Sequence, residues 1–94
     1  FSPRQLVARI QAVLSRHEAQ GIAFHALRTR EAAGRSFVTV HVLVPGAWTV
    51  QSGHDLAEVI EAEIRTVIPG ASVTTHLEPS DDPASMLDED LDRR

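Results

Sequence analysis

Apolar and polar residues alternate most regularly between Ser36 and Val44. Val38, Val40, Val42 and Val44 share one face, while Phe37, Thr39, His41 and Leu43 share the other, which is the period of a β-strand. Pro45-Gly46 stops the run. Ser72 to Glu78 repeats the pattern, with Val73, Thr75 and Leu77 on one side and Ser72, Thr74, His76 and Glu78 on the other. Pro79 ends it. Ile22 to Arg30 reads as a third strand whose facing is undecided: Leu27 argues for one buried side and Phe24 for the opposite one. His25 has the parity of Leu27. Glu31-Ala32-Ala33-Gly34 reads as the hairpin loop between the first two strands.

Two stretches carry the helical period instead. Ser2-Pro3 is an N-cap followed by a first-turn proline, and Leu6, Ile10, Val13 and Leu14 recur at helical spacing, so the first helix is expected from Pro3 to about Arg16. Thr49 caps a second helix running to about Ile68, with Leu56, Ile60, Ile64 and Val67 as its apolar stripe and Pro69-Gly70 closing it. The order is α-β-β-α-β. The economical packing is an α+β sandwich with both helices on the valine face of a three-stranded sheet.

Length and charge narrow the picture. Ninety-four residues make one domain with a modest core. Residues 81–94 hold six acids against two arginines, whereas residues 1–80 hold seven of each. A neutral body with an acidic end is a poor match to nucleic acid. Residues 1–79 are therefore expected to form the domain and residues 80–94 a disordered, solubilising tail. Phe37 to Trp48, the longest apolar-rich run, is too short for the roughly 20 residues of a spanning helix, so no membrane insertion is expected. The chain starts at Phe1 rather than Met and is expected to be a fragment. Without cysteine, any metal must be held by nitrogen and oxygen.

Five histidines are the candidate chemistry. If the valine row faces the helices, His41, His76 and Glu78 all lie on the open face, the last two pointing the same way because they are two residues apart. Imidazole and carboxylate together suit zinc, cobalt, nickel or iron. His17, at the end of the first helix, is expected on the surface as a partner for the helix dipole. His54, early in the second helix, reaches the sheet only if the loop from Trp48 to Gly53 carries it over the edge. Phe37 and Leu43 on the open face are apolar candidates for burial in an interface; Trp48 is read as packing the loop before the second helix, with an interface role as the alternative. Nothing supplies a nucleophile or a phosphate-binding loop, so an enzyme is not expected.

Four segments in order then resemble a known family: His25-Ala26-Leu27-Arg28-Thr29-Arg30, the strand centred on His41, Gly53-His54-Asp55-Leu56-Ala57-Glu58, and Thr75-His76-Leu77-Glu78-Pro79. From Gly21 to Pro79 the chain is similar to the C-terminal cytoplasmic domain of cation diffusion facilitator (cation efflux) transporters. The resemblance implies a metallochaperone-like, ferredoxin-like αββαβ fold and a homodimer on the cytoplasmic side of a membrane. It also implies an attached transmembrane transport domain outside this chain. A metal near the dimer interface would tune that domain: zinc, or a relative such as cobalt, nickel, iron, manganese or cadmium. The family's ligand positions fall on His25, His41, His54 and His76, and a carboxylate position, often aspartate, falls on Glu78. The alternative is a purely structural homodimerisation domain with no functional metal.

Overall fold

The computed structural model describes residues 1–81. Helix α1 spans Pro3–Glu18, strand β1 Ala23–Ala32, strand β2 Arg35–Val44, helix α2 Val50–Val67 and strand β3 Ser72–Pro79. The α+β order matches the reading from periodicity. The sheet order is β1-β2-β3, with β1 antiparallel and β3 parallel to β2. A parallel neighbour needs a crossover, and α2 supplies it.

Local chemistry explains the boundaries. Ser2 and Gln5 form a reciprocal capping box: the Gln5 N–H donates to the Ser2 hydroxyl at 3.2 Å, and the Ser2 N–H donates to Oε1 of Gln5 at 2.8 Å. Thr49 caps α2 by accepting from the Ser52 N–H at 3.0 Å. The hairpin is tighter than periodicity suggests. Ala32 pairs with Arg35, leaving only Ala33 and Gly34 as the loop, at φ of 54° and 74°. Two consecutive positive φ values are the primed turn whose twist matches a hairpin, so Glu31 and Ala32 join the strand.

The core lies between the valine face and the helices. Ile10, Val38, Val40, Val42, Ile60 and Ile64 are at most 1% exposed, and Leu6, Val13, Leu14 and Ile68 complete the layer. Gly53 lets α2 approach β3: a Cβ there would stand 2.5 Å from a Leu77 methyl.

His17 is a correction. Helix α1 continues to Glu18, so position 17 falls on the stripe of Leu6, Ile10, Val13 and Leu14. It is 9% exposed. Its Nε2–H donates to Oε1 of Glu63 on α2 at 2.6 Å, and Arg16 approaches the other oxygen at 3.5 Å. The residue ties the two helices together rather than capping one of them.

Backbone contacts continue past Pro79. The Ser80 N–H donates to the Val44 carbonyl at 2.8 Å, and Asp81 accepts from the Gly46 N–H at 2.9 Å. The expected disorder of the remaining acidic residues lies outside the described residues.

Candidate metal centre

The open face of the sheet is organised in rows by the strand register. Ala23, Leu43 and Glu78 form one row, and His25, His41 and His76 form the next. Arg28, Thr39 and Thr74 follow, then Arg30, Phe37 and Ser72. Three histidines therefore stand directly across three strands. Their rings are in contact: the centroids of His25 and His41 are 5.0 Å apart, and those of His41 and His76 are stacked at 4.9 Å.

His25 reaches this row because β1 is bulged. The pairing of β1 with β2 shifts by one residue between His25 and Arg28, and Ala26 has φ 58°. Two residues of β1 thus oppose one of β2. The bulge resolves the conflict between Phe24 and Leu27: both pack against the core, on opposite sides of an extra residue, while His25 and Arg28 both take the open face. Two apolar residues of opposite parity in one strand were the signal that an extra residue lay between them.

Glu78 sits one row away and draws the imidazoles together. It is 7% exposed, unusual for a carboxylate. Its Oε2 accepts from Nε2 of His25 at 3.1 Å. Its Oε1 lies 3.4 Å from Nδ1 of His41 and 3.6 Å from Nε2 of His76. Nε2 of His25 and Nδ1 of His41 are 3.2 Å apart. One donor comes from each strand: His25 from β1, His41 from β2 and Glu78 from β3. His76 is on the same row but its side chain is 65% exposed.

The fit to a metal can be tested against ideal geometry. Ligand atoms about 2.0–2.1 Å from a tetrahedral zinc ion are separated from one another by about 3.3 Å. The three donor residues meet at 3.1, 3.2 and 3.4 Å. The approaches of His25 and of His41 are made to different oxygens of the same carboxylate; with one donor atom from each residue the three lie within 4.8 Å of one another, so closing on a tetrahedral ion requires the carboxylate to turn one oxygen toward both imidazoles. The residues fit the group.

His54 is not brought to this face. Gly53, Ala57, Ile60 and Ile64 are the buried positions of α2, so residue 54 is turned about 100° away from them. Its side chain is 60% exposed and lies 3.0 Å from Glu58, one turn on. Of the apolar candidates for an interface, Leu43 is already buried within the protomer at 6% exposure. Phe37 is half-buried, with the Arg30 guanidinium 4.4 Å above its ring. Trp48 remains 40% exposed and lines a groove of about 260 Å³ together with Val50, Leu77 and Glu78.

The chain is a two-layer α+β domain that gathers one nitrogen or oxygen donor from each of three strands, a set that could hold a metal ion. Residues 3–80 match the family model described as the cation efflux protein, cytoplasmic domain, and the chain belongs to that family. It is 56% identical over 81 residues to the transporter sll1263 of Synechocystis sp., covering 83% of this chain and 26% of that protein. It is 33% identical over 55 residues to the cation-efflux pump FieF of Pectobacterium atrosepticum, covering 58% of this chain and 18% of that one. The chain thus spans about a quarter or less of these curated relatives. Among solved structures, the zinc form of CzrB superposes with a TM-score of 0.75 at 31% identity, covering 87% of this chain and 92% of that one. The metal-bound C-terminal domain of the CzcD transporter from Thermotoga maritima also gives 0.75, at 26% identity and covering 84% and 92%.

Proposed function

We propose that this chain is the regulatory metal-binding domain of a divalent-metal efflux transporter, working as a homodimer on the cytoplasmic side of its membrane. The observation that carries the reading is the triangle of His25, His41 and Glu78. Three groups with lone pairs converge to 3.1–3.4 Å, a spacing that a cation at their centre would stabilise. His76 is placed to complete the set. Zinc fits best by ligand chemistry, and cobalt, nickel or iron would use the same donors. His54, exposed and paired with Glu58, does not join the set within one protomer. Among the described residues no helix is long and apolar enough to cross a membrane, so transport itself is assigned to the part of the relatives that this chain does not span. The reading is one of binding, not catalysis.

Metal would couple to regulation through the three strands it joins. A transporter conformation that prefers the metal-tied arrangement is favoured by its difference in metal affinity from the alternative. Trp48, exposed beside the Glu78 groove, is the proposed dimer contact nearest the metal.

Calorimetric titration with zinc tests the reading. The wild-type domain should bind with measurable heat, and His41→Ala should abolish it. A wild-type chain that gives neither heat nor a melting shift refutes the proposal. One observation favours a metal-free alternative: Glu78 already holds His25 at hydrogen-bonding distance. If the cluster is only a structural network within a dimerisation domain, dimer mass is unaffected by chelator and zinc is ignored.

A further inference from the structure

Exposed charge is segregated along the direction of the strands. One end of the domain is built from the start of α1, the β1–β2 hairpin and the residues after α2. Pro3 and Leu6 line a groove there with Arg30 and Glu31, and Phe1 lines another with Glu31, Gly34 and Pro69. Arg4, Arg9, Arg30 and Arg35 are exposed at this end. Among the described residues none of these four lies within ion-pairing distance of a carboxylate. Phe1 is 57% exposed, with the Arg9 guanidinium 4.2 Å above its ring. Exposed acids gather toward the other end: Glu18 at the close of α1, Asp55 and Glu58 in the first half of α2, and Asp81 beyond β3. Arg4 and Glu18 stand about 21 Å apart along α1. That is twice the Debye length of about 10 Å at 0.1 M salt, so the acid does little to cancel the arginine.

We propose that the arginine-rich end docks on the anionic headgroups of a membrane surface. The four arginines stand on three different elements: Arg4 and Arg9 on α1, Arg30 on β1 and Arg35 on β2. Placed around the rim of one end, they suit a plane of phosphates better than one compact ion. Guanidinium groups pair well with phosphate oxygens. Phe1 beside Arg9 adds an exposed aromatic flanked by a cation, a combination that favours the boundary between headgroups and acyl chains. The whole chain carries −4, so net charge would repel it from an anionic surface. Attraction depends on presenting this end and turning the acids away. The chain belongs to the cation efflux cytoplasmic domains, and the cytoplasmic leaflet is the anionic one. The inference rests on the placement proposed above, beside the cytoplasmic face of a membrane, and is independent of metal binding.

The test uses the full 94-residue chain in chelator, so that a failure of zinc binding cannot decide it. Co-sedimentation with vesicles of phosphatidylserine and phosphatidylcholine should exceed that with phosphatidylcholine alone, and the difference should vanish in high salt. A basic side chain at an anionic surface contributes about fivefold in binding. Arg4→Gln/Arg35→Gln should therefore weaken it about 25-fold, while Arg4→Lys/Arg35→Lys should retain it. Vesicles carrying a nitroxide on the headgroup should broaden the amides of Gly34 and Arg35 and leave those of His54 and Glu58 sharp. A parent chain with no preference for anionic vesicles overturns the proposal, as does undiminished binding by the glutamine variant or broadening centred on His54 and Glu58. Self-association without vesicles that the glutamine variant abolishes assigns the arginines to the acidic end of a second copy and equally overturns it. Zinc heat without vesicle binding would leave the metal reading standing and reject this one alone.

Discussion

Glu78→Gln separates a metal ligand from a structural hydrogen-bond acceptor, because the amide keeps the shape and one acceptor but loses the charge. Glu78 is 7% exposed and meets His25 at 3.1 Å, with His41 at 3.4 Å and His76 at 3.6 Å. Without metal, two effects oppose. A hydrogen bond to a charged group contributes about 1 kcal/mol more than a neutral one, but the substitution also removes the desolvation cost of a buried carboxylate. The apo variant should therefore stay within about 1 kcal/mol of the parent. With metal the balance is one-sided. Zinc at 100 times its Kd stabilises the parent by about 2.7 kcal/mol, which for a domain of this size is roughly 11–22 °C in Tm. Loss even of supporting groups around a metal costs 10–100-fold in affinity, so loss of a direct charged ligand should reach at least about 100-fold. The same zinc concentration would then give only about 0.4 kcal/mol, or about 2–3 °C. Thermal melts in chelator and in excess zinc, with calorimetric affinities alongside, measure both quantities. A variant that keeps the full zinc shift removes Glu78 from the ligand set. One that loses about 3 kcal/mol or more in chelator shows that the cluster is chiefly structural.

Three further substitutions probe the scaffold. Ala33→Asn should stabilise the chain by about 0.5–1 kcal/mol in denaturant unfolding, because asparagine tolerates the positive φ of the hairpin turn better than alanine does; a loss of stability would contradict the assigned turn. His17→Ala should cost about 1–3 kcal/mol, and a double-mutant cycle with Glu63→Gln should show coupling, since the 2.6 Å bond joins the two helices; strict additivity would mean that the strut contributes only its packing. Gly53→Ala should destabilise by about 1–2 kcal/mol despite the gain of about 1 kcal/mol in helix propensity, because the new methyl meets Leu77 at 2.5 Å; chevron kinetics or urea titration would reveal a net gain if α2 simply moved away.

Period-2 and helical spacing were sufficient for the element order and for the facing of β2 and β3, because each has a buried face that specifies its register. They were insufficient for β1, where Phe24 and Leu27 give contradictory parities and only a bulge at Ala26 satisfies both. Ending the first helix at about Arg16 leaves His17 on the surface; continuation of α1 to Glu18 brings position 17 onto the stripe of Ile10, Val13 and Leu14. The presence of histidine there, with an acid to meet it on another helix, depends on a tertiary contact that no local pattern contains. The same holds for Glu78. Alternation placed it on the face of His41 and His76, but its burial and its approach to His25 follow from the alignment of three strands.

The arrangement of donors bears directly on what metal binding could transmit. His25 and Glu78 come from β1 and β3, the two edges of the sheet, and His41 from the strand between them. An ion held by all three bridges the sheet across its width at the row beside Leu43, near the groove that Trp48 shares with Glu78. The strands are already paired, so the ion adds little to their order within one protomer. Its larger effect falls on what touches the donors from outside the sheet. His76 is still 65% exposed in its side chain and Trp48 40% exposed. Turning His76 inward to a metal would change the surface presented beside Trp48 while leaving the core of Val40, Ile60 and Ile64 unmoved. On the proposed reading, a sandwich whose core stays fixed while the exposed His76 turns to the metal would report occupancy to a neighbouring protomer without being remodelled by it.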